Sequence, residues 1–456
     1  MRDELSRWGH VVAILTLGLP LVGGHLAQVA IQITDTVMIG WYAVPDLAAM
    51  VLAGTIWFVA FIVSIGFSQA VMPLVSQASE AGEAGVVRLR RVTRMGFWLS
   101  AMAWLFFTPV FWWAKPLLIG LGQEADLAEA AQGYLRIGGP ALLPALIVMV
   151  LKSYLAALEK TRALLWIALA AAALNIGLNW VLIFGKLGAP ELGLIGAAAA
   201  SAVGHVFSMV ALWAYVRWQF PEHHLFQRLW KPDWEALGEV FRLGWPIGLM
   251  LLAEAGLFAF ASLLMGWLGT VPLAAHGIAL QITTGTFMVH LGLSNAATIR
   301  AGKAFGRGDE RHLRRGGEVS MGLSVVWALA TMVAYIAVPE FLLGLFLDPS
   351  DPARGPILAV GVGLMAVAGV FQLVDGVQVT AAGLLRGVQD TRVPMGIAAL
   401  AYWGIGAPMA WLLGFALGFE GVGVWGGLAV GLAVASVLLS WRFWHRSVRI
   451  EARLGG

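Results

Sequence analysis

The sequence predicts an all-α integral membrane protein: twelve transmembrane helices in two pseudo-symmetric six-helix lobes, V-shaped around a central cavity. Three observations predict it. The 456 residues are 59% hydrophobic and only 12% charged, whereas soluble domains carry about 25% charged residues. The apolar runs last about 20 residues or more, the length a helix needs to cross a bilayer; barrel strands would read as short alternating segments. The two halves of the chain also align with each other.

Apolar runs between charged or turn-rich breaks place helices near 11–40, 48–75, 93–114, 127–152, 163–184, 192–216, 239–267, 273–299, 317–339, 356–383, 394–416 and 421–441. Alternate connections are rich in Lys and Arg, which favour the cytoplasmic side. With the N-terminus inside, 25 of the 29 basic residues fall in cytoplasmic segments, Lys152 and Arg386 among them. Both termini are therefore expected to be cytoplasmic. The opening "MRDELSRWGH" carries both signs of charge, and the run after it is too long for a signal-peptide core, so it reads as retained. The longest polar connection, 217–238, joins an N-terminal lobe (1–216) to a C-terminal lobe (239–456).

The repeat is held at a nearly constant offset. "LGLP" at 17–20 matches "LGWP" at 243–246, "MIGW" at 38–41 matches "LMGW" at 264–267, and Gly66 and Ser68 match Gly292 and Ser294. Both copies have an even number of spans in the same order, so the repeats are parallel, related by an axis along the membrane normal. Two facing bundles that rock against each other would give alternating access. Pro20 and Pro246 match inside helices, where a missing backbone donor permits a bend.

Three acids break the repeat. Glu254 stands where the first half has Gln28, Asp35 where the second has Ala261, and Asp375 opposite Ala145. An Asp at a helix centre costs about 2.5–3.5 kcal/mol, so intramembrane acids mark sites. Between Arg242 and Arg300 no charge other than Glu254 occurs, and no Lys or Arg is expected at the depth of the acids. A water-filled cavity that exchanges cations is the reading that accounts for all three. His25, His205 and His290 are isolated and read as satisfied interior histidines.

Other classes are disfavoured. Without cysteine there is no disulfide, thiolate metal site or redox chemistry. No HExxH or nucleophile–base pattern supports an intramembrane enzyme. A flippase for lipid-linked oligosaccharides would want a basic cavity to meet pyrophosphate. No segment is large enough for a nucleotide-binding domain, and no nucleic-acid partner or cofactor is expected.

The stretches "QITDTVMIG" (32–40), "LLAEAGLFAF" (251–260) and "FQLVDGVQVTAAGLLRGVQDTRVP" (371–394) resemble the multidrug and toxic compound extrusion family, best its NorM-type branch. The resemblance covers about residues 10–445. It implies a monomeric multidrug antiporter of the bacterial inner membrane, which expels cationic and amphipathic drugs in exchange for H+ or Na+. It also implies that Glu254 and Asp375 form a C-lobe cation site, open to Na+, and that Asp35 is the N-lobe acid. Asn175 and Asn179, four residues apart on one helical face, would support Asp35; Gln28, Phe371 and Gln378 are further cavity-lining candidates. Na+-coupled relatives tend to carry a Tyr where this chain has Phe371, and His-Gln where it has His276-Gly277. Without the tyrosine hydroxyl, H+ is the expected coupling ion.

Overall fold

A computed structural model describes residues 6–450. Arg2 and Arg453, counted above among the cytoplasmic basic residues, lie outside them. Helices dominate, and among the described residues there is no strand. In order they are α1 (Arg7–Tyr42), α2 (Val44–Ala78), α3 (Gly82–Trp112), α4 (Ala114–Gly120), α5 (Ala125–Gly138), α6 (Leu142–Ala157), α7 (Thr161–Phe184) and α8 (Gly193–Gln219). The second half follows with α9 (Trp234–Leu268), α10 (Thr270–Arg307), α11 (Glu310–Ala337), α12 (Pro339–Gly344), α13 (Arg354–Gly387), α14 (Arg392–Ala416) and α15 (Glu420–Ser447).

Ten of these are long and apolar enough to cross a bilayer, and the pair α5–α6 makes an eleventh. The remaining predicted span, α10, is the longest at 38 residues. Its apolar character is diluted by His276, Gln281, Thr283, Thr286, His290 and Asn295. Large apolar side chains such as Trp41, Phe106, Trp166, Trp267 and Val437 stand exposed, the surface that lipid rather than water covers.

Two departures from the sequence reading have a local cause. The span expected at 127–152 is two helices bent by 48°, broken at Gly138-Gly139-Pro140, where Pro cannot supply a backbone donor. The Gly138 carbonyl freed by the break accepts from Trp57 Nε1 at 3.0 Å. Helices also run past their apolar cores, so Lys152 lies inside α6 and Arg386 inside α13. Neither is a loop residue.

The chain forms two compact units. One holds Gly23–Gly248; the other holds the described residues up to Val22 together with those from Leu249 on. Both boundaries fall inside helices, in α1 two residues beyond Pro20 and in α9 two residues beyond Pro246. In the first unit α2 packs on α3, α5 and α6, and α8 on α6 and α7; in the second, α13 is the hub against α10, α11 and α15.

Small residues let the backbones close up. A Cβ built on Gly66 of α2 would lie 2.4 Å from the Gly244 carbonyl oxygen and 2.4 Å from the Gly248 nitrogen of α9. A Cβ on Gly292 of α10 would lie 3.1 Å from the Gly18 carbonyl oxygen and 3.0 Å from the Val22 nitrogen of α1. These are the repeat partners predicted from sequence, making the same contact twice. The opening segment of each half thus packs in the unit formed mainly by the other half.

The 217–238 connection is not slack. Arg91 of α3 holds Asp233 (Nε to Oδ2, 2.5 Å) and Glu235 (2.7 Å), Arg88 holds Glu239 (2.6 Å), and Trp98 Nε1 donates to the Leu229 carbonyl (2.8 Å). The Arg91 guanidinium keeps the Asp233 carboxyl below the usual carboxylate range.

Candidate cation and substrate sites

In the Gly23–Gly248 unit, Asp35 sits half-buried on α1 and accepts two hydrogen bonds. Asn179 Nδ2 donates to its Oδ1 at 2.5 Å and Ser201 Oγ to its Oδ2 at 2.9 Å. Asn179 Nδ2 also reaches Asn175 Oδ1 at 3.2 Å, and Asn175 Nδ2 lies 3.5 Å from Ser201 Oγ. The expected Asp35–Asn175–Asn179 constellation is therefore assembled. Ser201 is the member that sequence reasoning missed; its signal was a hydroxyl amid the alanines of "GAAAASAVGH". The Asn179 carbonyl oxygen is buried and has no hydrogen-bond partner among the described residues. Gln28 adjoins His25 instead of Asp35.

In the other unit Glu254 of α9 and Asp375 of α13 interact as charges. Asp375 is buried, 3% exposed. Its Oδ1 has no hydrogen-bond partner among the described residues, and the same holds for Gln372 Oε1, Gln378 Oε1 and Thr380 Oγ1. Buried polar atoms are nearly always bonded, so a concentration of orphan oxygens on one helix marks a place built for a guest. Gln372 is oriented by its amide, which donates to Thr286 Oγ1 at 3.0 Å. Thr286 Oγ1 in turn lies 2.5 Å from the Tyr335 hydroxyl.

Two neighbours were not legible beforehand. Tyr402 of α14 stands close to Glu254, Asp375 and Gln378. It lies on a π-helical stretch, Leu400–Gly406, where the wider turn shifts every later side chain from its α-helical bearing. Arg386 lies within electrostatic reach of Glu254 and donates to Ser294 Oγ at 3.3 Å. The expectation that no basic residue stands near the acids fails at Glu254, because α13 continues to Gly387 and carries Arg386 inward.

The remaining candidates are structural. Phe371 is buried, packed edge-on against Phe258 and Trp425. His276 is fixed between Trp425 Nε1, which donates to its Nδ1 at 3.0 Å, and Ser262 Oγ, 2.9 Å from its Nε2. His290 Nδ1 lies 2.8 Å from Ser324 Oγ. A Cβ on Gly376 would meet the His290 ring at 2.4 Å, so glycine beside Asp375 makes room for it. Among the described residues no group of three or more His, Cys, Asp or Glu gathers to hold a metal ion.

The MatE family model matches the chain twice, over residues 20–181 and 246–412. The chain belongs to the MatE family. The two matches begin at the paired prolines, Pro20 and Pro246. It is 45% identical over 440 residues to a "Probable multidrug resistance protein NorM" of Agrobacterium fabrum, covering 96% of this chain and 94% of that one. A protein of the same description from Rhizobium meliloti is 45% identical over 446 residues, covering 97% and 95%. Among solved structures, the eukaryotic MATE transporter AtDTX14 superposes with a TM-score of 0.84 at 21% identity, covering 98% of each chain. That likeness establishes the two-lobe MATE fold.

Proposed function

We propose that this MatE-family chain is a cation-coupled antiporter that expels organic cations and amphipathic drugs across the inner membrane by alternating access. The observation that carries this reading is the set of orphan oxygens around the Glu254–Asp375 pair, inside helices with every reason to exclude charge. Acids that faced only protein would have their bonds satisfied by protein. The relatives described as multidrug resistance proteins supply the substrate class by analogy.

The coupling ion we infer is Na+. It binds through oxygens, and the carboxylates of Glu254 and Asp375, the carbonyls of Gln372 and Gln378 and the hydroxyl of Tyr402 offer them. The sequence argument for H+ rested on the missing hydroxyl at Phe371. Tyr402 brings a hydroxyl to the same acids from another helix, so that argument loses its basis. The orientation with both termini cytoplasmic rests on the distribution of basic residues.

The test is drug efflux from proteoliposomes with one gradient imposed at a time. Efflux driven by an inward Na+ gradient at symmetric pH, with no membrane potential, is expected. Transport driven solely by a pH difference would overturn the Na+ assignment, and transport driven by neither would overturn antiport.

A further inference from the structure

The 217–238 connection, which lies wholly within the Gly23–Gly248 unit, sorts its side chains by charge. Its main chain is gripped by α3: Arg94 donates to the His224 and Leu225 carbonyls at 2.6 and 2.8 Å, and Trp98 donates to that of Leu229. Its acids Asp233 and Glu235 are taken by Arg91, and Glu222 stands 3.9 Å from the His223 ring. Its inner apolar residues are packed. Leu225 is buried, and Phe226 lies between the rings of Phe97 of α3 and Trp213 of α8, with centroids 6.3 and 5.5 Å away.

What is left facing outward is basic and aromatic. Arg217, Arg228 and Lys231 are exposed, and among the described residues no carboxylate pairs with any of them. The Arg217 guanidinium rests 5.5 Å over the Trp213 ring. Arg228 and Lys231 are the two ends of one turn, closed by the Lys231 nitrogen donating to the Arg228 carbonyl at 3.1 Å, so their Cα atoms lie within about 7 Å. Interleaved with these cations, Trp218, Trp230 and Trp234 are 75%, 77% and 71% exposed. Open indoles beside unpaired cations suit the polar boundary of a bilayer, where Trp collects at headgroup level and basic side chains attract anionic lipids. The connection begins and ends at that boundary, because α8 and α9 on either side of it are both long and apolar enough to cross a membrane.

We propose that the outer face of this connection is a docking surface for anionic phospholipid headgroups, with Arg217, Arg228 and Lys231 meeting the phosphates and the three indoles seated at the edge of the acyl chains. Guanidinium and ammonium groups donate charge-assisted hydrogen bonds to phosphate oxygens, and an indole offers one apolar body to the chains and one N–H to the wet side. The grip of α3 on the main chain and on the acids leaves the basic side chains unneutralised for this contact. The inference needs the membrane alone and is independent of the transported substrate and of the coupling ion.

The sequence has no cysteine, so Gln227→Cys, exposed and one residue before Arg228, can carry a single fluorophore. The labelled full-length protein, held in phosphatidylcholine nanodiscs, is titrated with phosphatidylglycerol or phosphatidylcholine bearing a doxyl quencher near the headgroup end of one acyl chain. The phosphatidylglycerol probe is expected to quench at a mole fraction lower by about fivefold or more, since each basic side chain near an anionic surface is worth about fivefold in affinity. That preference should shrink stepwise in Arg228→Gln and in the Arg217→Gln/Arg228→Gln/Lys231→Gln triple variant. It should also vanish for the unsubstituted surface in salt of about 1 M, where the screening length falls to about 3 Å; this arm needs no charge variant, so misfolding cannot imitate it. Equal quenching by both probes, or a preference that survives the triple substitution or the salt, would overturn the docking surface. Quenching by neither probe, the result for a face turned to water or to an acidic protein, would overturn it as well.

Discussion

Replacing Asp375 by Asn is expected to stabilise the protein in Na+-free solution while abolishing gradient-driven efflux. The carboxylate is 3% exposed, its Oδ1 has no hydrogen bond among the described residues, and the charge acting on it is the like charge of Glu254. An ionised Asp at such a depth costs about 2.5–3.5 kcal/mol, and a neutral isostere removes most of that. Unfolding entropy near 2.1 cal/mol/K per residue makes 1 kcal/mol worth about 1 °C in a chain of 456 residues. The Asn variant should therefore melt about 2–3 °C above wild type, in alkaline Na+-free buffer where the carboxylate is ionised. Added Na+ at about 100 times its Kd should raise wild type by about 2.7 kcal/mol, roughly 3 °C, and leave the variant unmoved. Thermal unfolding of detergent-solubilised protein, followed by tryptophan fluorescence across a Na+ titration, measures both. A variant that melts below wild type in Na+-free buffer would mean that the Asp375 carboxylate is a structural partner. The reasoning would then be refuted.

Other outcomes follow from neighbouring contacts. Glu254→Gln should also abolish efflux, but it removes a carboxylate that the Arg386 charge favours, so it should gain less than Asp375→Asn and melt below it in the same buffer. Gly66→Ala puts a methyl 2.4 Å from two backbone atoms of α9; the helices must part, and a loss of about 1–3 kcal/mol is expected from thermal melts. Asp233→Asn should cost about 0.5–1 kcal/mol at neutral pH, since the Arg91 pair is partly exposed. Because Arg91 depresses the folded-state ionisation of Asp233, that stability is present above the unfolded carboxylate pKa, near 4, and is lost as pH falls through the lower folded value. Melts of wild type and Asp233→Asn should therefore converge only below about pH 4. A tag in the 217–238 connection or at the C-terminus should resist labelling from outside intact cells.

What the sequence revealed, and what it hid, has a physical pattern. Lone charges in apolar runs are conspicuous because hydropathy changes abruptly there, which is why Asp35, Glu254 and Asp375 were readable. Helix ends were not, since a helix continues past the bilayer on polar residues with good helical propensity. That is how Arg386 came to be counted with a cytoplasmic loop and Lys152 as the last residue of its helix. The bend in 127–152 was signalled by Gly138-Gly139-Pro140, yet the apolar run passes straight through it. Tyr402 was hidden because a helical wheel assumes 3.6 residues per turn, and a π stretch breaks that phase. Ser201 was lost among alanines, with no pattern to raise it.

The division of α1 after Val22 and of α9 after Gly248 carries a mechanical consequence. Each of these helices is a continuous rod clamped at one end in one unit and at the other end in the other. The glycine contacts at Gly18–Gly292 and Gly66–Gly244 grip one end of each rod without play. Along each rod the change of unit comes two residues beyond its proline. Pro20 and Pro246 sit beside the two crossing points, where one backbone bond is already missing and compliance is greatest. Asp35 lies beyond one crossing and Glu254 beyond the other, each on the same helix as the proline that precedes it. Each acid therefore shares one continuous helix with a segment that belongs to the other unit.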